Sequence, residues 1–139
     1  MATIISQKVV FKNTTPKVIY ALYMNEKKHS MISGAPAKIS QKVGGKYSVH
    51  GGYITGKNLH LVKDKLIVQS WRAQGWDAND VDSTFIISLE PKGKDVVLQA
   101  IHANVPDKHK ASLAKGWTGH YWNPYKQHLA GKKIARPKM

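Results

Sequence analysis

The sequence predicts a single α+β domain in which a curved antiparallel sheet of about six strands wraps around a long C-terminal helix. In the middle of the chain, apolar and polar residues alternate and short turns interrupt the alternation, which is typical of antiparallel strands. In the last third, apolar residues recur every four positions, which indicates a helix with one buried face. The sheet is the only apolar partner available to that face, so the sheet must curve around the helix.

The N-terminal part of the chain predicts one strand followed by two short helices. Residues 3–11 alternate weakly and are rich in β-branched residues, which favours a strand. Thr15 is a typical helix cap and Pro16 suits the first helical position, so a helix is expected to begin there. A second short helix is expected to begin near Asn25 and to end before Gly34.

Five further strands are predicted in the middle of the chain. The connections Gly51-Gly52 and Lys63-Asp64 are short, and short connections join antiparallel neighbours. A turn at residues 91–94 precedes the last strand. The five strands are predicted to cover residues 46–50, 53–62, 65–72, 81–89 and 95–105.

The long C-terminal helix is predicted to begin at Pro106-Asp107, with Asp107 as its cap. Pro124 is a poor helix residue, so we expect a bend near it. Large apolar residues form a stripe along this helix, and they are Leu113, Trp117, Tyr121, Trp122, Tyr125 and Leu129. We expect residues 1–130 to form the whole domain.

Positive charge is the unusual bulk property of this chain. There are 22 Lys and Arg residues against 8 Asp and Glu residues, which gives a net charge of +14. Such a charge attracts acidic partners, namely nucleic acid, an anionic membrane or an acidic protein. Most lysines are scattered, and we interpret them as a solubilising surface. Residues 131–139 are predicted to form a basic, disordered tail that contains Lys132, Lys133, Arg136 and Lys138.

Composition excludes several classes of protein. The chain has no cysteine, which excludes disulfides, thiolate metal sites and a cysteine nucleophile. It shows no basic leader and nothing near the roughly 20 consecutive apolar residues of a membrane span. We therefore expect a cytoplasmic location and a monomer that does not contact a membrane.

Motifs for catalysis and for metal binding are poorly supported. Residues 51–58 resemble a phosphate-binding loop, but Asn58 stands where a hydroxyl is needed and a strand follows where a helix is needed. The 7 histidines show no metal-ligand spacing, and each is predicted to be exposed or half-buried. The few acids form no convincing catalytic pair, and no nucleophile turn is present. We predict no catalytic residue, no metal, no cofactor and no enzymatic activity.

Aromatic residues are the richest signal in the sequence. Trp71 ends a predicted strand, Trp76 lies in the loop after it, and more large rings crowd the last helix. Rings that point inward predict a packed core. A bent sheet around a helix also favours a cavity, and aromatic walls would accept an apolar ligand. A tryptophan in a loop, such as Trp76, is a candidate for contact with another molecule.

Several segments together resemble a known family. They are residues 43–47 (VGGKY), 52–56 (GYITG) and 67–72 (IVQSWR), with Ala35-Pro36-Ala37, Gly116-Trp117, Tyr121-Trp122 and Lys126. The combination resembles the START-like, or helix-grip, superfamily, and more narrowly the C-terminal domain of the activator of the heat-shock protein 90 (Hsp90) ATPase. The resemblance covers roughly residues 5–130 and agrees with the predicted order of elements.

This resemblance implies a co-chaperone of the stress response that binds an Hsp90-type chaperone, so that any ATP chemistry belongs to the partner. The full activator has a separate N-terminal domain that makes much of the chaperone contact. We therefore expect weaker stimulation from a sequence that resembles the C-terminal domain alone. The residues that match the family's signature segments are predicted to contact the chaperone, and they are Gly44, Gly45, Lys46, Trp71, Arg72 and Trp76.

Two other functions stay open at this point. The wider superfamily includes carriers of small apolar molecules, and such a ligand would lie in a cavity lined by Trp71, Phe85, Trp117 and Tyr121. The surplus of lysine also suits nucleic acid. The sequence shows no pattern of aromatic and basic residues typical of a known nucleic-acid-binding domain, so we rank nucleic-acid binding third. An enzyme ranks last, because a fold alone does not supply catalytic groups.

Overall fold

The structure is a computed structural model that describes residues 2–136. It confirms an α+β architecture in which a curved antiparallel sheet holds a C-terminal helix. The strands are β1 (Ala2–Phe11), β2 (Lys38–Ile39), β3 (Lys46–Val49), β4 (Ile54–Val62), β5 (Leu66–Ala73), β6 (Ser83–Lys92) and β7 (Asp95–Pro106). The α-helices are α1 (Pro16–Met24), α2 (Glu26–Ser33), α3 (Lys110–Trp117) and α4 (Asn123–Leu129).

The sheet has seven strands in the order β1-β7-β6-β5-β4-β3-β2, and every neighbouring pair is antiparallel. The prediction of about six strands lacked β2. This strand has only two residues, which is too short to show a period-two pattern. The other strands match the predicted ones within a few residues.

Local capping explains where the two short helices begin and end. The backbone N–H of Val18 donates to the Thr15 hydroxyl over 3.4 Å, and the N–H of Lys28 donates to the Asn25 side chain over 3.0 Å. Gly34 ends α2 with φ of +76°, a conformation that glycine adopts without strain. The predicted helix starts and the predicted stop before Gly34 are therefore confirmed.

The core lies between the inner face of the sheet and the C-terminal helix. Phe85 of β6 stacks on Trp117 with ring centroids 3.9 Å apart, and Phe11 of β1 meets Tyr125 at 6.0 Å. Trp117, Tyr121 and Tyr125 are all buried. The rings of the predicted apolar stripe are thus the surface that the sheet covers.

The C-terminal helix begins and continues differently from the prediction. Pro106 ends β7, a 3-10 turn covers Asp107–His109, and α3 begins at Lys110 without a side-chain cap, so the prediction that Asp107 caps the helix is wrong. A π-helical segment, Thr118–Trp122, joins α3 to α4, and Pro124 is the second residue of α4. Pro124 has no N–H to donate to the carbonyl four residues earlier, which favours a change of helical hydrogen bonding at this point.

Arg136 of the predicted tail contacts α2. The Arg136 guanidinium donates to the carbonyls of Ile32 (3.1 Å) and Met31 (2.7 Å). Pro137 and Lys138 lie outside the described residues. The domain boundary at residue 130 and the disorder of residues 131–139 stay predictions. Within residues 2–136, no helix is both long enough and apolar enough to cross a membrane.

Candidate functional site

A pocket of about 200 Å³ lies between strands β4 and β5 and the C-terminal helix, and we call it the sheet–helix pocket. It is lined by His50, Tyr53, Ile54, Trp71, Ala73, Trp76, His109, Ser112, Leu113, Gly116, Trp117, His120 and Tyr121. Most of these side chains are aromatic or aliphatic. The pocket therefore combines an apolar wall with a few polar groups, as small-molecule sites do.

Three of the four predicted cavity residues line this pocket. Trp71 comes from β5, and Trp117 and Tyr121 come from the helix that lies over it. Phe85 does not line it, because Phe85 is fully buried and its ring lies flat against Trp117, with an interplanar angle of 3°. Phe85 therefore packs against Trp117, which forms part of the pocket wall.

Three histidines also line the pocket, and the sequence did not indicate any of them as a site residue. The rings of His50 and His120 are 5.6 Å apart. His109 stacks on Trp76 at 5.8 Å, and the buried Nε2 of His109 has no hydrogen-bond partner among the described residues. Within the same residues, no group of three or more His, Asp or Glu side chains could hold a metal ion.

A buried hydrogen-bond chain leads from α1 to this pocket, and we call it the open network. It consists of the Tyr23 carbonyl, His29, Tyr121 and His50. Nδ1 of His29 is 2.8 Å from the Tyr23 carbonyl, Nε2 of His29 is 2.8 Å from the Tyr121 hydroxyl, and that hydroxyl is 2.9 Å from Nε2 of His50. These contacts link α1, α2, the π-helical segment and the turn after β3.

The direction of each hydrogen bond in the open network follows from its first member. A carbonyl only accepts, so Nδ1 of His29 carries the proton and Nε2 of the neutral ring is an acceptor. Tyr121 therefore donates to His29, and its oxygen accepts from the N–H at Nε2 of His50. A neutral His50 with its proton on Nε2 has an acceptor lone pair on Nδ1.

Burial keeps His29, Tyr121 and His50 in the protonation states that the open network requires. Burial lowers the pKa of His29, and burial together with the nearby His29 and His120 lowers the pKa of His50 to about 4. Burial also raises the pKa of Tyr121 well above its ordinary value. At neutral pH both imidazoles are therefore neutral, and the Tyr121 hydroxyl keeps the proton that it donates.

A second buried network, which we call the closed network, lies between the sheet and the C-terminal helix. It consists of Trp117, His102, Ser83 and the Trp71 carbonyl. Trp117 donates to Nδ1 of His102 (3.1 Å), Nε2 of His102 donates to the Ser83 hydroxyl (2.8 Å), and that hydroxyl donates to the Trp71 carbonyl (2.7 Å). Both ring nitrogens of His102 have protein partners, and burial lowers its pKa to about 3.

The prediction that every histidine is exposed or half-buried is wrong for His29 and His102, which are 2% and 1% exposed. Their hydrogen-bond partners offset the cost of burying an imidazole. A signal for His102 was present in the sequence. Val96, Leu98, Ala100 and His102 share one parity of β7, and this parity faces the core.

Three of the predicted chaperone-contact residues lie together near the start of β3. Gly44 and Gly45 belong to the loop before it, and Lys46 is its first residue and is exposed. Buried Asn58 holds the loop by donating to the carbonyls of Ser40 (2.7 Å) and Lys42 (3.0 Å). A Cβ at Gly45 would lie 1.9 Å from the Ser40 hydroxyl, so the fold needs glycine there.

The other three predicted contact residues lie at the pocket or hold a loop. Trp71 is 2% exposed and faces the sheet–helix pocket. Arg72 donates to the carbonyls of Asp80 (2.6 Å) and Asp77 (2.8 Å), so its guanidinium holds the loop that carries Trp76. Trp76 is half-buried against Trp71. The six predicted residues therefore do not form one surface.

A shallow groove on the sheet, which we call the cationic groove, collects positive charge. Four of the side chains that line it are basic and one is acidic, and they are Lys38, Lys46, Lys57, Arg72 and Asp82. The three lysines are exposed and form no ion pair among the described residues. This groove contains two of the predicted contact residues, Lys46 and Arg72.

The family model described as "Activator of Hsp90 ATPase homolog 1-like protein" matches residues 13–130. The chain belongs to this family. The human activator of 90 kDa heat shock protein ATPase homolog 1 is 25% identical over 114 residues, which cover 82% of this chain and 33% of that protein. The homologue from Dictyostelium discoideum is 27% identical over 104 residues, which cover 74% of this chain and 27% of that protein. The matched segment thus spans a third or less of the length of these relatives.

Solved structures of similar proteins share the fold along nearly the whole chain. A crystal structure described as an HSP90 activator from Plasmodium falciparum has a TM-score of 0.78 at 25% identity, covering 96% of this chain and 98% of that one. The solution structure of an Aha1 dimer from Colwellia psychrerythraea has a TM-score of 0.78 at 15% identity, covering 91% of this chain and 96% of that one. These matches confirm the helix-grip fold that the sequence predicted.

Proposed function

We propose that this chain is a binding domain without catalytic groups of its own, and that it regulates a cytosolic chaperone of the Hsp90 class by direct contact. Family membership supports the class of partner, because the curated relatives are named as activators of this chaperone's ATPase. The observation that carries the proposal is the cationic groove, where three exposed lysines without an ion pair among the described residues lie beside the Arg72–Asp82 ion pair. Such a surface favours an acidic protein partner and speeds the encounter with it.

The proposal is tested by calorimetric titration of a purified Hsp90-class chaperone with this chain, alongside the chaperone's ATPase rate. We expect binding at low salt that weakens at high salt, because exposed charges are screened. The triple variant K38E/K46E/K57E reverses charge in the groove and should lose about tenfold or more in affinity.

A matched control distinguishes binding at the cationic groove from a general effect of positive charge. The triple variant K8E/K63E/K92E makes the same change in net charge at exposed positions outside the groove. It should bind nearly as well as the unchanged chain. The proposal fails if nothing binds at low salt or if the two triple variants weaken binding equally. A short nucleic-acid duplex that binds with a steep salt dependence would instead favour the nucleic-acid alternative.

We also propose a second function, the binding of a small apolar molecule, because the sheet–helix pocket favours it. A cavity of about 150 Å³ lined by aliphatic and aromatic groups is large enough for benzene. The sheet–helix pocket has about 200 Å³, and its walls include Trp71 and Trp117. An apolar ligand of one or two rings would therefore fit.

Titration with naphthalene tests this second function, with the tryptophan indole N–H signals in the ¹H–¹⁵N NMR spectrum as the readout. Gly116 lies on the pocket wall, and a Cβ added there meets only His120, at 3.9 Å. Gly116→Leu should fill the pocket and abolish the shifts, whereas Ala111→Leu, at an exposed position of the same helix, should keep them. Unchanged signals in the parent chain, or equal shifts in both variants, would rule the pocket out as the site.

A further inference from the structure

The sheet–helix pocket contains hydrogen-bonding groups that the apolar function alone does not use. His50, His109 and His120 all line it. Neither ring nitrogen of His120 has a hydrogen-bond partner among the described residues, and the buried Nε2 of His109 has none there either. Buried polar atoms in proteins are nearly always paired, so the unpaired Nε2 of His109 beside the pocket is available to a polar ligand.

His50 differs from the other two histidines because the open network determines which of its nitrogens is free. Its Nε2 donates to the Tyr121 hydroxyl at 2.9 Å, so this nitrogen is occupied. Nδ1 carries a lone pair and has no partner among the described residues. The network therefore makes His50 an acceptor toward any molecule that reaches Nδ1.

The backbone at His50 also indicates a specialised position. His50 has φ of +54°, and it is followed by Gly51 and Gly52 with φ of +67° and +93°. A non-glycine residue in this left-handed region carries strain, and such residues concentrate at functional sites. The turn costs stability locally, while it brings the imidazole under the π-helical segment that contains Tyr121.

We propose that the sheet–helix pocket takes a planar aromatic molecule of one or two rings that carries an O–H or N–H donor, and that Nδ1 of His50 accepts this donor's hydrogen bond. The proposal rests on the ligand-binding function proposed above. The aromatic walls supply stacking surface, and the volume limits the ring count. The donor on the ligand is required because the free nitrogen of His50 is an acceptor.

The test compares three probes in the unchanged protein: 2-naphthol, 2-methoxynaphthalene and naphthalene. Only the first can donate a hydrogen bond, and the third is the smallest. Affinities come from NMR titration of the tryptophan indole N–H signals. We expect 2-naphthol to bind about tenfold more tightly than either of the others, which is the contribution of one well-formed hydrogen bond.

Two variants then assign the preference to His50. His50→Phe keeps a ring but removes the acceptor, so its affinities for 2-naphthol and naphthalene should become nearly equal, whatever the new ring does to the affinity for naphthalene itself. His60→Phe makes the same change at an exposed position outside the pocket and should keep the tenfold preference. If His50→Phe does not fold, the comparison of the three probes in the unchanged protein still decides whether a donor is required.

Each outcome has a distinct meaning. Equal affinities for all three probes would overturn the donor proposal and leave the apolar pocket standing. A tenfold preference that survives in His50→Phe would overturn the role of His50. Binding of none of the three probes would overturn the ligand-binding function and this proposal together, and the chaperone-contact function would be unaffected.

Discussion

The closed and open networks are built from the same parts and end differently. Each has a buried histidine whose two ring nitrogens both have partners, and each receives a donor from an aromatic residue of the C-terminal helix. The closed network starts at Trp117 and ends on the Trp71 carbonyl inside the core. The open network continues through Tyr121 to a second histidine, His50, that lines a pocket.

This difference separates a structural polar cluster from a candidate functional one. In the closed network every donor and acceptor of His102 is used, so the cluster ties β5, β6 and β7 to α3 and has nothing left for a ligand. In the open network one acceptor remains at the end. A fully satisfied network contributes rigidity, whereas an unused group beside a cavity is available for binding.

Replacing His102 should give the largest effect in this comparison. His102→Leu removes the acceptor for the buried Trp117 N–H and the donor to Ser83. An unpaired buried donor and an altered shape in a packed core should together lower the free energy of unfolding by about 3 kcal/mol. Urea unfolding measures this loss. His128→Leu, at an exposed position, should change stability by no more than about 0.5 kcal/mol. A loss below about 1 kcal/mol for His102→Leu would contradict the structural role.

Lowering the pH should give the second largest effect, a loss of stability that originates in the closed network. The folded pKa of His102 is about 3, and the ordinary value is 6.5. Between these values the unfolded chain binds a proton that the folded chain does not, so stability is full above pH 6.5 and falls as the pH decreases toward 3.

The expected loss from His102 is about 1.4 kcal/mol per pH unit, or about 2 kcal/mol between pH 6.5 and pH 5. Urea unfolding of the unchanged protein and of His102→Leu at a series of pH values measures this slope as the difference between the two, because the lowered pKa values of His29, His50 and His120 add to the total slope. The ring signals of His102 in NMR spectra provide the control, because they should not titrate above pH 5 in the folded protein. A ring that titrates near pH 6.5 would show that His102 can be protonated inside the fold.

Breaking the open network should lower the free energy of unfolding by less than breaking the closed one. Tyr121 and Tyr125 lie on the same C-terminal helix, so the same substitution can be compared at both. Tyr121→Phe removes the hydroxyl that donates to His29 and accepts from His50, so we expect a loss of about 1 to 2 kcal/mol. The buried hydroxyl of Tyr125 has no partner among the described residues. Tyr125→Phe should therefore be neutral or slightly stabilising. Equal losses for the two variants, measured by urea unfolding, would refute the hydrogen-bond assignments.

The overall fold could be predicted because its signals are local. The alternation in the strands, the turns between them, the Thr15 and Asn25 caps and the aromatic stripe each occupy a short stretch of sequence. The π-helical segment was missed because Pro124 indicates a disturbance in the helix but not its form. Strand β2 was missed because two residues carry no pattern.

The candidate site was predictable only in part, because its partners are far apart in the sequence. Trp71, Trp117 and Tyr121 were predicted from their type and their element, and they line the pocket. The hydrogen bond from Tyr121 to His29 joins residues 92 positions apart, and the one to His50 spans 71 positions. Such pairs depend on the rotation of the helix over the sheet, which no local pattern reveals.

A substitution at Gly116 should give the smallest effect. It tests whether the wall of the sheet–helix pocket has room for an added methyl group. It lies within α3, where alanine is preferred over glycine by about 1 kcal/mol, and an added Cβ meets only His120, at 3.9 Å. Gly116→Ala should therefore raise the free energy of unfolding by up to about 1 kcal/mol. Gly56→Ala in β4 should do the opposite, because its Cβ would lie 1.9 Å from the Ser70 carbonyl oxygen. If thermal and urea unfolding show that Gly116→Ala is also destabilising, the wall of the sheet–helix pocket is as tightly packed as the core, and the contrast between the two networks loses its structural basis.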